Sequence, residues 1–194
     1  MIKKLAKNIA RFFVTKEYIN PFEINSYQYG FEILLSTLFS IIPVLVLSLF
    51  FHSLLGALLY LASFILMRTT CGGYHAKKQS TCMLIFLSIF VIFSIGIRFL
   101  SNNIIAIYNM ICTIISSLII WKVAPVEASN KPLSYKTRRR NEKLCLAVGC
   151  IFMALSLTLY ITITTPIIET AYLFSGELAA ALSMIAGSIK QKEG

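Results

Sequence analysis

The sequence predicts an all-α integral membrane protein, with six transmembrane helices preceded by an amino-terminal amphipathic helix lying in the membrane interface. Three observations predict it. First, 57% of the 194 residues are hydrophobic and only 13% are charged, whereas a soluble domain carries about 25% charged residues. The chain therefore lacks the polar cover needed in water. Second, the apolar residues fall into uncharged runs near the ~20 residues that cross a bilayer as a helix. Third, lysine and arginine collect in alternate connections, the bias that orients a membrane protein.

Along residues 1–30, Ile2, Leu5, Ile9, Phe12 and Phe13 share one helical face, and Lys3, Lys4, Lys7, Asn8 and Arg11 share the other. That spacing suits a helix in the headgroup region. A basic cap ahead of the first span is the plainer reading of the same residues. The basic start lacks the apolar length and small-residue cleavage site of a signal peptide.

The first span, residues 33–51, contains Pro43, which is expected to kink it. The second, residues 54–67, is short for a bilayer and needs His52 and Arg68 at its boundaries, where arginine can snorkel. The others cover residues 83–100, 104–121, 144–163 and 167–189. Tight connections at His52-Ser53 and around Thr165-Pro166 predict antiparallel hairpins. Lys3, Lys4, Lys7, Arg11 and Lys16 precede the first span, and Arg68, Lys77 and Lys78 follow the second. Residues 122–143 form a second basic loop with Lys131, Lys136, Arg138, Arg139 and Arg140, while Lys190 and Lys192 end the chain. The intervening connections carry only Arg98. Six spans with both termini in the cytoplasm put every basic segment inside. No second domain or repeat interrupts residues 1–194, so a single membrane domain is expected, and no nucleic acid is expected as a partner.

Chemistry concentrates in residues 68–82, Arg-Thr-Thr-Cys-Gly-Gly-Tyr-His-Ala-Lys-Lys-Gln-Ser-Thr-Cys. A cysteine attacks as its thiolate. Lys77, Lys78 and Arg68 make the surroundings of Cys82 electropositive, and Ser80 as a helix cap would put Cys82 in the first turn of the third span. His75 can take the thiol proton and return it to a leaving amine. On one straight helix the two would stand about 10 Å apart, so the chain must bend between them. Gly72-Gly73 permits that bend, and their amides could hold a developing oxyanion. Arg68 either binds a carboxylate or carbonyl or anchors its helix. Gln79, Glu23 or a backbone carbonyl could orient His75, and the sequence does not choose. Metal ligation by Cys71, His75 and Cys82 matches no standard zinc spacing, so no metal or other cofactor is expected. Cys112, Cys145 and Cys150 lie in or beside apolar runs and read as packing residues with free thiols.

The series Arg68, Gly72, Gly73, His75, Ala76 and Cys82, between a second and a third span, resembles the accessory gene regulator B (AgrB) family, and the resemblance runs over nearly the whole chain. It implies a bacterial cell-membrane cysteine endopeptidase that processes a quorum-sensing propeptide, with Cys82 as nucleophile and His75 as its base. Arg68 and Gly73 match positions the motif requires; Cys71 matches none. The implied partner is a small AgrD-like propeptide with an acidic carboxy-terminal tail. The implied product is a thiolactone or lactone peptide formed through an acyl-thioester. Arg138, Arg139 and Arg140 then have two readings, topological charges or a hold on that tail. Glu177 is a carboxylate inside the last span, where it is costly and often functional. Ala179, Ser183 and Gly187 form a close-packing face for another span or for a second subunit in a homodimer. The alternative function is a small transporter or channel for a peptide or ion using Glu177 and Glu169; a further one is a noncatalytic anchor for an acidic partner.

Overall fold

A computed structural model describes residues 2–72, 79–126, 135–162 and 167–192; at 33, 36, 37, 79–83, 102, 103, 135–137 and 190–192 it describes the backbone and not the side chains. Among the described residues the architecture is all-helical. A helix α1 (Ile2–Thr15) and a short 3-10 turn (Pro21–Glu23) precede α2 (Ile24–Phe50), α3 (Leu54–Cys71), α4 (Gln79–Arg98), α5 (Asn102–Val123), α6 (Tyr135–Thr162) and α7 (Ile168–Lys192). Four of them, in α3, α5, α6 and α7, are long and apolar enough to cross a membrane. Shorter apolar helical stretches, Leu38–Phe50 and Leu84–Arg98, lie in α2 and α4. The predicted turn at Thr165-Pro166 lies outside the described residues. The chain divides into two units, residues 1–44 and 45–194.

In the first unit, α1 ends because Glu17 takes a left-handed conformation (φ 60°). The amide of Tyr18 then reaches Phe13 O at 3.0 Å, and that of Glu17 reaches Val14 O at 3.0 Å. This paired capping closes carbonyls the helix end would otherwise leave open. Asn20 starts the next turn by accepting from Phe22 N at 3.2 Å. Lys3 pairs with Glu32 at 3.8 Å and Phe13 packs on Phe31 with ring centroids 5.4 Å apart, so α1 folds back on the start of α2. Ala6 and Ala10 are buried, Leu5 and Phe12 are exposed, and Lys3, Lys4, Lys7 and Arg11 all face outward. The predicted apolar face is thus partly internal and partly open.

In the second unit, the tight connection at His52-Ser53 is present. His52 has φ 48°, and Ser53 N reaches Ser48 O at 3.1 Å while His52 N reaches Leu49 O at 3.2 Å. His52 is therefore a helix-ending residue. Arg98, at the last turn of α4, donates to Phe51 O at 3.2 Å and stacks over the Phe51 ring at 5.5 Å. This puts the end of α4 beside the α2–α3 turn.

α7 is the central helix: half of its apolar window is buried, against 22% for α6. Lipid is as apolar as leucine, so membrane helices pack through small residues that let backbones approach. Gly176 on α7 meets Tyr60 O and Ser63 Oγ of α3, and Gly56 on α3 meets the Tyr172 ring of α7. Tyr60, Phe64, Phe86 and Phe90 fill the angle between α3 and α4, with the Phe64 and Phe86 rings 4.4 Å apart. Against α5, Tyr108 donates to Ser175 at 2.6 Å and Asn109 to Thr170 at 2.9 Å. Interhelical bonds of this kind contribute about 0.6 kcal/mol each.

Two predicted boundaries need correction. The second span does not stop at residue 67; α3 runs through Arg68 to Cys71, 18 residues or about 27 Å. Its polar last turn stays helical because the side chains bond back to their own helix. Thr69 donates to Leu66 O at 3.0 Å, Thr70 donates to Leu66 O at 2.9 Å, and Arg68 lies over Phe64 at 5.9 Å. The second basic loop is also shorter than 122–143, since Lys122 and Val123 finish α5 and α6 already begins at Tyr135. Arginine and lysine are good helix formers, so charge alone does not make residues 135–143 a loop.

Candidate active site

The site grows from the carboxyl end of α3. The last four carbonyls of a helix lack their usual partners within it, and here described residues close three of them. Arg68 O accepts from Gly72 N at 3.1 Å, Thr70 O from the Cys145 thiol of α6 at 3.4 Å, and Cys71 O from Val126 N at 3.0 Å. Val126 reaches this position because α5 stops early: Ala124 is extended (ψ 148°) ahead of Pro125, as a residue before proline prefers. Gly72 and Val126 form an isolated parallel bridge.

Gly72 has φ 79°, and a Cβ there would overlap Val126 O. Both the backbone angle and the close approach require glycine. The backbone expectation for Gly72 is met, but its amide is taken up by Arg68 O, which corrects its expected part in holding an oxyanion. Gly73, His75, Lys77 and Lys78 lie outside the described residues. The expected folding of His75 over Cys82 therefore has no geometry here.

Cys82 is the fourth residue of α4. The helix begins at Gln79, two residues earlier than a Ser80 cap requires, so Ser80 is inside the helix and the capping position falls upstream. A first-turn amide needs no intrahelical acceptor, which lets the helix start before the serine. Cys82 still falls in the first turn, at the positive end of the helix dipole.

Arg68 donates to Ser183 of α7 at 3.3 Å as well as lying over Phe64. This matches the anchoring reading of Arg68. Ser183, predicted as part of a small-residue face, thus serves α3 within the same chain. The close approaches that let α7 sit against α3, at Gly56 and Gly176, escaped the sequence reading. Gly176 lies three residues before Ala179 and seven before Ser183, so it continues the same helical face one step towards the start of α7.

Cys71, Cys112 and Cys145 are buried in one apolar core with Met67, Ile120, Phe152 and Phe174, and are free thiols. Cys150 is exposed, which corrects its reading as a packing residue: its side of α6 faces outward. Cys71 lies within 3.4 Å of the Thr70 hydroxyl and is wholly buried in the core. Among the described residues no three His, Cys, Asp or Glu side chains group to hold a metal. Glu177 is wholly buried between helices beside Thr113 and Cys112 of α5, and among the described residues neither carboxyl oxygen has a hydrogen-bond partner. Thr113 donates its hydroxyl to Asn109 O at 2.9 Å instead. Arg138, Arg139 and Arg140 are exposed on the early turns of α6, on the end of the bundle where Cys145 meets α3.

The family model for accessory gene regulator B matches residues 2–187. An AgrB-like protein 2 of Clostridium perfringens (strain 13) is 33% identical over 142 residues, covering 69% of this chain and 66% of its own. An AgrB-like protein of C. perfringens (strain SM101) is 30% identical, covering 75% and 72%. One of Clostridium acetobutylicum is 26% identical, covering 70% and 64%. The matches thus span about two thirds of the relatives' lengths. No solved structure matches the chain.

Proposed function

The chain belongs to the accessory gene regulator B family, and from that premise we propose that it is a membrane cysteine endopeptidase and peptide cyclase acting on a small AgrD-like quorum-sensing propeptide. The observation that carries the reading is the position of Cys82 in the first turn of α4, directly after the Gly-Gly-x-His loop. The relatives' names say only that they are AgrB-like.

In the proposed reaction His75 takes the Cys82 proton and the thiolate attacks a peptide carbonyl near the propeptide's carboxy-terminal part. The oxyanion is held by loop amides such as that of Gly73, since the Gly72 amide already donates to Arg68 O. The C–N bond breaks, the protonated His75 returns its proton to the leaving amine, and the tail departs. A thioester remains on Cys82. A thiol or hydroxyl within the substrate then gives its proton to His75, attacks the same carbonyl and expels the Cys82 sulfur, which takes the proton back, closing a thiolactone or lactone. Thioester exchange with a thiol is nearly isoenergetic, whereas hydrolysis would end the sequence in a linear peptide. Water exclusion by the membrane boundary is therefore part of the design.

The finer architecture belongs to the same proposal. α2 and α4 join the four long apolar helices as spans, giving six in one membrane domain over residues 1–194 of a bacterial cell membrane, with both termini cytoplasmic. α1 lies in the interface, with exposed Leu5 and Phe12 towards the lipid beside a row of lysines. Arg138, Arg139 and Arg140 hold the acidic tail of the substrate, and a second copy of the chain packs on α7 near Gly187.

The test is co-expression with candidate propeptides followed by mass analysis of the products. Cyclic peptide and free tail are expected from the parent chain and neither from Cys82→Ala. Processing by Cys82→Ala at the parent rate would end the enzyme reading and return the transporter to first place.

A further inference from the structure

Cys71 is the last residue of α3 and Cys145 lies on α6, far along the chain, yet their thiols are hydrogen-bonded to each other. We propose that Cys71 and Cys145 form a redox clasp, a dithiol that a peroxide converts reversibly to a disulfide joining α3 to α6. The pair stands outside the enzyme chemistry proposed above and needs no role for Cys82 or His75.

The backbone brings the two together. The Cys145 thiol donates to Thr70 O at 3.4 Å, and that carbonyl belongs to the peptide unit that carries the Cys71 amide. Cys145 therefore reaches the main chain of Cys71 itself, the approach that two bridgeable cysteines need. The Thr70 hydroxyl stands 3.4 Å from Cys71 Sγ, so one threonine touches both sulfurs. Met67, Ile120, Phe152 and Phe174 pack in the same core and hold the pair in place. Cys112 is hydrogen-bonded to Tyr108 instead, and Cys150 is exposed. Thr69 is exposed and Thr70 half-buried, which brings the pair close enough to the surface for a small neutral oxidant.

The steps balance. The Cys71 sulfur attacks one peroxide oxygen, the O–O bond breaks, and the leaving oxygen takes up the thiol proton and a second proton to depart as water. The sulfenic acid left on Cys71 is then attacked by the Cys145 sulfur. The S–S bond forms, and the hydroxide expelled leaves as water with the Cys145 proton. Two thiols lose two electrons and one peroxide becomes two waters. The basic end of the bundle is proposed above to be cytoplasmic, where the disulfides that do form are transient or redox-sensing.

The test reads the bond directly. The full chain in lipid vesicles is exposed to hydrogen peroxide, remaining thiols are blocked with N-ethylmaleimide in denaturing detergent, and unreduced peptides are mapped by mass spectrometry. Cys71 and Cys145 should lose nearly all of their label and appear as one linked peptide, while Cys112 keeps its label. Dithiothreitol before blocking should restore label to both. Cys145→Ser keeps a donor for Thr70 O, so it should insert normally and leave Cys71 outside any disulfide. A second arm uses phenylarsine oxide, which bridges neighbouring thiols and should protect the pair from peroxide. Full label on Cys71 and Cys145 after peroxide overturns the clasp, as does linkage of either to another cysteine as often as to each other. Arsenical bridging without disulfide formation also overturns it, and leaves two adjacent thiols that only pack.

Discussion

Residue type makes Cys82 and His75 candidates, and the Gly-Gly-x-His-x6-Cys order that carries the family resemblance joins them; their roles are part of the proposal, since His75 and the Cys82 side chain lie outside the described residues. The reason for Gly72 could not be found that way. Its positive φ is a local property that glycine hints at, but the Val126 oxygen that excludes a side chain comes from another connection. Cys145 packs in the core as expected, and its thiol also closes a carbonyl of α3, which its residue type does not announce. Two predictions follow at this scale. His75→Ala should suppress both the Cys82 adduct and the final product, measured by covalent trapping in vesicles; normal adduct formation would remove the general-base role. Cys112→Ala should still process propeptide. Cys145→Ala should also process, but should unfold earlier in detergent, since an unpaired buried carbonyl costs about 1–3 kcal/mol. A Cys145→Ala chain as stable as the parent would mean that Thr70 O finds water.

Helix existence and type were legible in the elements, since long uncharged runs leave a membrane chain little choice. Their ends were not. Polar residues at 68–71 and basic residues at 135–143 read as loop, but side chains bonding back onto α3 and the helix-forming bias of arginine and lysine extended both helices. Packing partners were also hidden, because a small residue declares a close approach without naming its neighbour. Gly176→Ala tests the α3–α7 contact. Its Cβ would overlap Tyr60 O, and overpacking of this kind costs about 1–3 kcal/mol. Gly96→Ala on α4, with nothing within 4 Å, is the matched control and should not lose stability. Equal thermal unfolding of the two variants in detergent would show that α7 does not pack on α3 in this way.

At the scale of the whole molecule, the ends of the second unit sort by charge. The α2–α3 turn and the end of α4 share one end through Arg98 and Phe51. The ends of α3 and α5 and the basic start of α6 share another through Cys71, Val126 and Cys145. Single cysteines near residues 3, 136 and 192 should label from the cytoplasmic side, and one near 102 from outside. Labelling of 136 from outside would overturn the orientation and move the site with it. If Arg138, Arg139 and Arg140 hold an acidic tail, changing all three to Gln should weaken propeptide binding most at low salt, because exposed charges are screened over about 10 Å at 0.1 M. Unchanged binding at every salt concentration by a correctly inserted variant would leave them as topological charges.

The central claim is that Cys82 carries the acyl group. Intact-mass measurement of the full chain, quenched in acid during turnover with its propeptide, tests it most directly. The account predicts a species heavier by the amino-terminal part of the propeptide less water, released by hydroxylamine and missing from Cys82→Ala. Cyclic product from a Cys82→Ala chain, or an adduct of that mass mapped to another cysteine, would contradict it.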